Sequence, residues 1–507
     1  SNGHLYLLNP NGILIGEGAF IDTGAFIAST FDILDSAFLK GDSFEFFGDS
    51  LSSVVNHGKI QTKDGDALLI GRTVENHGTI DVNGGRGGAI ACTYLLYRPS
   101  SSAPLYIKGR ASDTLNTEGN AYSHAIKTHA KPDALYAVKE NGEAYLTHVK
   151  NTGTISSKKG EKGGDVYLLG DHVTVYEGSL IDVSGRAGGG SIYVGGSFHG
   201  KDPHLLASQY TFVSNKSYFD ASALEKGDGG KILFWSDKET RFYGHAKATG
   251  GATKGNGGFI EVSSPTEKWT FSGTIDLTAP QGAPGELFLD PNDITVGTAA
   301  SSPPYGGSPY TGAPLGSAQL LYTDLAAALG GGNVTIQTSS GTPGGNGDIF
   351  FDLAANILTW GSGNSLSVIA DRDVVFRTLS DIQTTGSGTN ITISAGRDFS
   401  SAAGSSIEAQ GAGGTLSLTA GRNITALGGF LNSNTSGTDA TVNVLAQTGN
   451  VTLGNPGMSV PVVYGCVHGP VTVEATLGNV DLFGGSGGSD DVAIIGFYDP
   501  SLANFNR

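Results

Sequence analysis

The pentapeptide Asn56-His57-Gly58-Lys59-Ile60 returns one short interval later as Asn76-His77-Gly78-Thr79-Ile80, and again as Asn151-Thr152-Gly153-Thr154-Ile155. The first of these steps is roughly 20 residues long, the length of a solenoid unit. A second family, two small residues and then an apolar run, starts at Gly163-Gly164, Gly189-Gly190, Gly229-Gly230, Gly257-Gly258 and Pro284-Gly285. Several of its intervals are about 26 to 28 residues. A third, Ile369-Ala370-Asp371-Arg372-Asp373, recurs at Ser394-Ala395-Gly396-Arg397-Asp398 and Thr419-Ala420-Gly421-Arg422-Asn423 in two equal steps. A unit this short holds two or three strands. It is too short for a propeller blade of about 40 residues or more, and it lacks the helix of a leucine-rich unit.

Such a period matches one coil of a solenoid in which each strand pairs in parallel with its copy one turn on, about 4.8 Å away, and inward aliphatics stack into ladders. A single coil cannot bury its inward face, so stability must come from stacking. The 79 glycines and 15% charged residues fit turns after every few residues. One methionine and few windows of 3.6-residue periodicity leave little material for helices. The expected fold class is therefore all-β, a parallel β-helix (β-solenoid) with extra-helical insertions, right-handed by the crossover rule. Ile60 and Ile80 should lie on one ladder.

Two stretches break the cadence and set the expected domains. Residues 1–90 read as one β-helical segment. Residues 91–148 lose the Gly/Asn turns and contain Ala121 to Lys127, a candidate short helix, so they read as an extra-helical insertion. Residues 149–296 continue the helix. Residues 297–330 form a Pro/Gly/Ser-rich seam ending in a candidate helix from Ala318 to Leu329, and 331–507 a second repetitive segment.

A net charge of −17 with only short basic clusters, such as Lys158-Lys159, argues against nucleic acid as a partner. Cys92 and Cys466 are too few for a disulfide framework and leave room for a single bridge. No apolar run approaches the roughly 20 residues that span a bilayer, and residues 1–30 lack the order of a signal peptide, so an exported chain would have lost its leader before Ser1.

Asn9-Pro10-Asn11-Gly12-Ile13 follows an apolar strand, Leu5 to Leu8, and precedes another, Ile13 to Ile15. Pro10 presets φ for the first central turn position, and Asn11 tolerates the positive φ that the second can require. With the Gly-rich turns and Ile27-Ala28-Ser29-Thr30 that follow, this resembles the later half of the filamentous-haemagglutinin-type secretion domain of two-partner secretion exoproteins. Residues 217–296, with "GNGGFIEVS" and "GELFLDPNDITV", are similar to the stretch that follows it in large members. The resemblance implies a secreted or surface-exposed β-helical protein of a Gram-negative-type bacterium, often an adhesin, exported through an outer-membrane barrel translocator. It marks Asn9, Pro10, Asn11, Gly12 and Ile13 as the secretion motif. Members begin well upstream of this point, with a first Asn-Pro-Asn motif.

Other motifs carry less chemistry. His57 and His77 would stack one coil apart, a spacing that can hold a metal but more often marks repeated turn residues. His124 and His129 are five apart, off helical ligand spacing. Gly484 to Gly488 fits G-x-S-x-G without the strand-to-helix elbow that motif needs. Gly344 to Asp348 and Ser489-Asp490-Asp491 are similar to calcium-roll turns, but the nine-residue tandem is absent. Asp371-Arg372-Asp373, Arg397-Asp398 and Arg422-Asn423 should form an alternating charge column of small net worth. Asp165, Asp182 and Asp220 are the carboxylates a polysaccharide lyase or glycoside hydrolase on this scaffold would use. Their unequal offsets from the Gly-Gly anchors argue against alignment.

The expectation is thus a secreted structural or adhesin protein with no catalytic, metal or cofactor residues, its partners being the translocator and a host or neighbouring-cell receptor or glycan. The alternatives are a polysaccharide-active β-helix enzyme or the stalk of a contact-dependent toxin. Neither Ser1 to Tyr6 nor Ala493 to Arg507 reads as a polar helical cap, so the chain should continue at both ends or join head to tail into a fibre.

Overall fold

A typical repeat runs Ala67–Gly71, Thr73–Asn76 and Thr79–Asn83 before Arg86–Ala91 begins the next. Its strands, of four to six residues, are separated by the one- or two-residue corners Arg72, His77-Gly78 and Gly84-Gly85, which no helix could span. The computed structural model describes residues 2–99, 105–108, 138–140, 143–145, 148–266, 268–299, 318–339, 345–427, 431–433, 441–454, 462–466, 471–483 and 493–497. The chain divides into two units, the first built mainly from residues up to 264 with 273–286, the second mainly from 287 onward with 265–272.

In the first unit, equivalent strands of successive coils pair in parallel to make three sheets, here the first, second and third in coil order. The third sheet carries an unbroken register: Ile21 faces Ile60, Ile60 faces Ile80, and the row continues through Ile155, Ile181, Phe219, Ala246 and Ile275. Ile60, Ile80, Ile155 and Ile181 are wholly buried. This is a parallel β-helix, and the repeated isoleucine of the Asn-x-Gly-x-Ile motif is one of its inward ladders.

Strands of the first sheet are buried on both faces: Ala25–Ser29, Ala67–Gly71 and Arg86–Ala91 show no exposed position. Their outward side is covered by an antiparallel sheet in which Tyr94–Tyr97 pairs with both Phe44–Phe47 and Tyr106–Lys108. Ile27, Leu68, Ile70 and Ile90 meet Phe44, Phe46, Leu95 and Tyr97 in a second core between the layers. Helix α1 (Asp35–Lys40) sits in the same excursion and closes on Gly41 in the left-handed conformation. The extra-helical layer therefore draws on residues 31–50 as well as on 94–97 and 106–108, although the sequence alone assigns the former to the β-helical segment. The candidate helix at Ala121 to Lys127 lies outside the described residues.

In the second unit the repeat is more nearly constant, with Leu366 facing Ile391 and Ile391 facing Leu416. Val368, Ile393, Leu418 and Val444 form one inward row. Burial alternates along Leu366–Ala370 and Thr415–Ala420, and the latter presents Thr415, Ser417 and Thr419 outward. The expected helix from Ala318 to Leu329 is displaced. Ala318–Leu321 is a strand paired with Ile294–Gly297, and helix α2 spans Tyr322–Gly331. It buries Leu325, Ala328 and Leu329, and its Leu329 carbonyl accepts from Asn364 Nδ2 at 2.7 Å and Ser362 Oγ at 2.6 Å, partners that a helix end requires. Among the described residues no helix is long and apolar enough to cross a membrane.

Candidate functional site

The Asn9–Ile13 segment makes the corner between strands His4–Leu8 and Ile13–Ile15. The Asn9 carbonyl accepts from Gly12 N at 3.1 Å, which puts Pro10 and Asn11 at the central turn positions. Asn9 Oδ1 also accepts from Asn11 N at 3.0 Å, an Asx turn laid over the β-turn. The left-handed residue is Gly12, at φ +105°, and not Asn11 as the sequence suggested. A β-carbon at Gly12 would stand 3.4 Å from the Ser53 carbonyl, an ordinary contact, so it is the positive φ and not close packing that calls for glycine here. Asn9 N donates to Ser29 O at 3.0 Å, and Ser50 Oγ donates to Pro10 O at 2.5 Å. Asn9, Pro10 and Asn11 are exposed while Ile13 is buried and pairs with Val54. The turn is thus held at its base and open at its tip.

Behind it runs a polar ladder that sequence reasoning saw only as a repeat. Asn56 Nδ2 donates to Asn76 Oδ1 at 2.9 Å, and Asn76 Nδ2 to Asn151 Oδ1 at 2.8 Å. All three side chains are fully buried, and Asn56 Oδ1 also accepts from Gly58 N at 3.0 Å. Buried amides satisfied in this way fix the register of the stack, since a slip by one residue would leave each unpaired. The glycine of the motif is demanded by its neighbour: a β-carbon on Gly78 would lie 2.1 Å from the Gly58 carbonyl.

The outer layer is fastened by a buried ion pair. Asp66 accepts from Arg86 N at 2.7 Å and Arg86 Nε at 3.0 Å, and Arg86 Nη2 reaches both Asp66 Oδ2 at 2.5 Å and the Arg98 carbonyl at 2.8 Å. Arg86 and Asp66 are 1% and 3% exposed, and the guanidinium lies 5.4 Å from the Tyr97 ring centre. Burial opposes the Arg86 charge, but Asp66 outweighs it and the pKa is raised. Burial, followed by the Asp66 charge, pushes the Tyr6 phenol up to about 12 and that of Tyr97 well above its usual range.

Residues 1–171 match the family model described as TPS secretion domain. The chain carries a two-partner secretion domain. The crystal structure of the HMW1 secretion domain from Haemophilus influenzae is 26% identical, over 55% of this chain and 79% of that one, with a TM-score of 0.32. No curated protein matches. The secretion domain thus spans the exposed Asn9–Gly12 turn, the asparagine ladder and the Arg86 clasp, and it brings with it an outer-membrane translocator as partner.

The remaining candidates resolve individually. His57 and His77 stack with centroids 4.7 Å apart and planes 14° apart. Both His77 nitrogens are engaged, Nδ1 with Thr152 Oγ1 at 2.8 Å and Nε2 with Glu75 Oε2 at 2.9 Å, which leaves this ring no lone pair for a metal. Burial raises the Glu75 pKa, but His77 and Lys150 together bring it below the ordinary value. Among the described residues no group of three or more His, Cys, Asp or Glu side chains is placed to hold a metal ion.

The carboxylate trio does not behave as expected. Asp165 stands apart on the first sheet, bound by Lys159 at 2.7 Å, but Asp182 and Asp220 are register partners and do align. The corners after them differ in length, which shifts the Gly-Gly anchors without disturbing the strands. Each turns Oδ1 onto its own corner, accepting from Ser184 N and Ser222 N at 2.8 Å. The charge column is larger than its motif: Asp348, read as part of a calcium-like turn, is its first rung with Arg372, followed by Asp373 with Arg397 and Asp398 with Arg422. In each rung the carboxylate also accepts the backbone N–H of the next coil at 3.0 to 3.1 Å. Cys92 is a free, fully buried thiol pushed up to about 12 by burial, an unreactive core residue. His124, His129, Gly484 to Gly488 and Ser489 to Asp491 lie outside the described residues, as does the side chain of Cys466.

Proposed function

We propose that this chain is the exported member of a two-partner pair, a structural or adhesive β-helix delivered to the cell surface or medium, with the Asn9–Ile13 turn as a contact read during export. The carrying observation is the match of residues 1–171 to the secretion domain, in a chain whose described coil strands pair in parallel with those of the coil before. A translocator that passes an unfolded thread needs a substrate that folds progressively. Here Asp373 and Asp398 of the second unit each receive the arginine and backbone amide of the coil that follows, as coil-by-coil docking requires. A cell-surface receptor or glycan, and head-to-tail association of copies, complete this reading as its proposed partners.

The test is expression with and without the cognate outer-membrane barrel. The chain should reach the surface or medium only with the barrel present. The double substitution Asn9→Ala with Asn11→Ala should cut export several-fold while the purified variant keeps its β spectrum. Equal export without the barrel would sink the reading.

A further inference from the structure

We propose that the outer face of the third sheet around Tyr218 and Lys247 is a binding cleft for a linear neutral or amine-bearing oligosaccharide. The proposal rests on the adhesive reading above and names the ligand class. Four consecutive coils contribute the three-residue strands Leu180–Asp182, Tyr218–Asp220, His245–Lys247 and Thr274–Asp276. The middle residue of each points inward, so the flanking ones form two outward rows: Leu180, Tyr218, His245, Thr274, and Asp182, Asp220, Lys247, Asp276. Between them lies a cleft of about 380 Å³ in residues beyond the secretion-domain match. That volume is in the range of small-ligand sites.

The lining suits a sugar. Leu180 and Tyr218 are 40% and 49% exposed, an apolar wall left open to water. Tyr218 and His245 stack 4.8 Å apart with planes at 16°, so the rings cover each other's faces and present edges and polar atoms outward. His245 is anchored through Nδ1 on Thr274 Oγ1 at 2.6 Å, which keeps Nε2 available. Asp220 and Asp276 spend Oδ1 on their own corners, through Ser222 N at 2.8 Å and Thr278 Oγ1 at 2.7 Å. Each therefore offers a fixed Oδ2 to paired hydroxyls. Lys247, set between them in the register, makes no ion pair among the described residues. These groups are preorganised, which lowers the ordering cost of binding. The coil spacing of about 4.8 Å is close to the advance per ring of a linear β-linked glycan, so neighbouring sugars meet equivalent groups. Two carboxylates against one ammonium, in a chain of net charge −17, select against uronates and sialic acids.

The test is titration of the purified chain with chitotetraose, cellotetraose and tetragalacturonate, followed by calorimetry and saturation-transfer NMR. One of the two uncharged-backbone tetramers should bind, and the uronate should bind at least tenfold more weakly. Tyr218→Ala and, separately, Asp220→Asn should each weaken binding tenfold or more with unchanged melting; the asparagine retains an oxygen for the Ser222 amide. No binding, preference for the uronate, or affinity indifferent to both substitutions would overturn the proposal. Adherence of cells displaying a chain that binds none of these sugars would leave the adhesive reading standing without this cleft. Sugar binding without adherence would do the reverse.

Discussion

The first sheet of the first unit and its counterpart in the second unit use the same parallel pairing yet solve different burial problems. Arg86–Ala91 is buried at every position, whereas Thr415–Ala420 alternates. The difference lies in what covers the outer face. In the first unit an antiparallel layer rests on it and brings aromatic residues over the buried Asp66–Arg86 pair; in the second, Ser and Thr meet water and the coils are tied at one corner by Asp and Arg. A solenoid core is narrow, so additional stability must come from a second layer or from ladders between coils. The secretion domain uses both, adding an outer layer to its asparagine ladder, and the second unit relies on its Asp–Arg ladder.

Breaking the clasp should distinguish the two most sharply. Arg86→Ala strands the Asp66 carboxylate under the outer layer, with an expected loss of about 3–5 kcal/mol, while hydrogen exchange in the second unit stays unchanged. Loosening of the second unit to the same extent would contradict a local role for the clasp.

Acid should act next, and again on the first unit. His148 stacks on His172 at 4.8 Å inside the second sheet, and burial lowers its pKa from 6.5 to about 4. Lowering by burial also holds for His172. The unfolded chain then binds protons that the folded chain refuses, so stability is intact above pH 6.5 and falls as the pH drops. The His148 loss is complete near pH 4, on the order of 3 kcal/mol. Glu75 opposes this shift and Lys150 adds to it, so the profile of His148→Gln, followed by urea melting from pH 4 to 7, should be flatter than that of the parent.

Asn76→Ala removes the middle of the amide ladder and leaves Asn56 Nδ2 and Asn151 Oδ1 without their partner, a cost of about 1–3 kcal/mol seen in urea melting. An effect no larger than that of an exposed surface alanine would show the ladder to be incidental. Smallest is Arg397→Ala in the second unit. Its guanidinium is 44% exposed, so the change should be detectable as faster local amide exchange and should vanish at high salt.

The inward ladders were legible because Asn-x-Gly-x-Ile recurs unaltered at 56, 76 and 151, and one identical interval fixes one register. The stacking of His57 on His77 followed from the same interval. The outer layer was not legible. Phe44–Phe47 and Tyr94–Tyr97 are remote in sequence and pair antiparallel, and nothing local in "SFEFFGD" says whether it continues a coil or leaves it. The register of Asp182 and Asp220 was hidden for a different reason: inward Ile181 and Phe219 set it, while the corners that carry the visible glycine motif vary freely in length. Asp348 escaped notice as a rung because it ends a glycine-rich turn and lacks an arginine just before it.

Coil-on-coil stacking is tested most directly by paired cysteines on the outer side of the third sheet. Gln61 and Asp81 are direct register partners, whereas Ser156 is one coil further on from Asp81. Partner α-carbons one coil apart fall within disulfide reach and those two coils apart do not. Oxidation of the purified double variant Gln61→Cys with Asp81→Cys should give a mapped 61–81 bridge by peptide mass, and Gln61→Cys with Ser156→Cys should stay reduced. A bridge in the second variant and none in the first would contradict the stacked architecture.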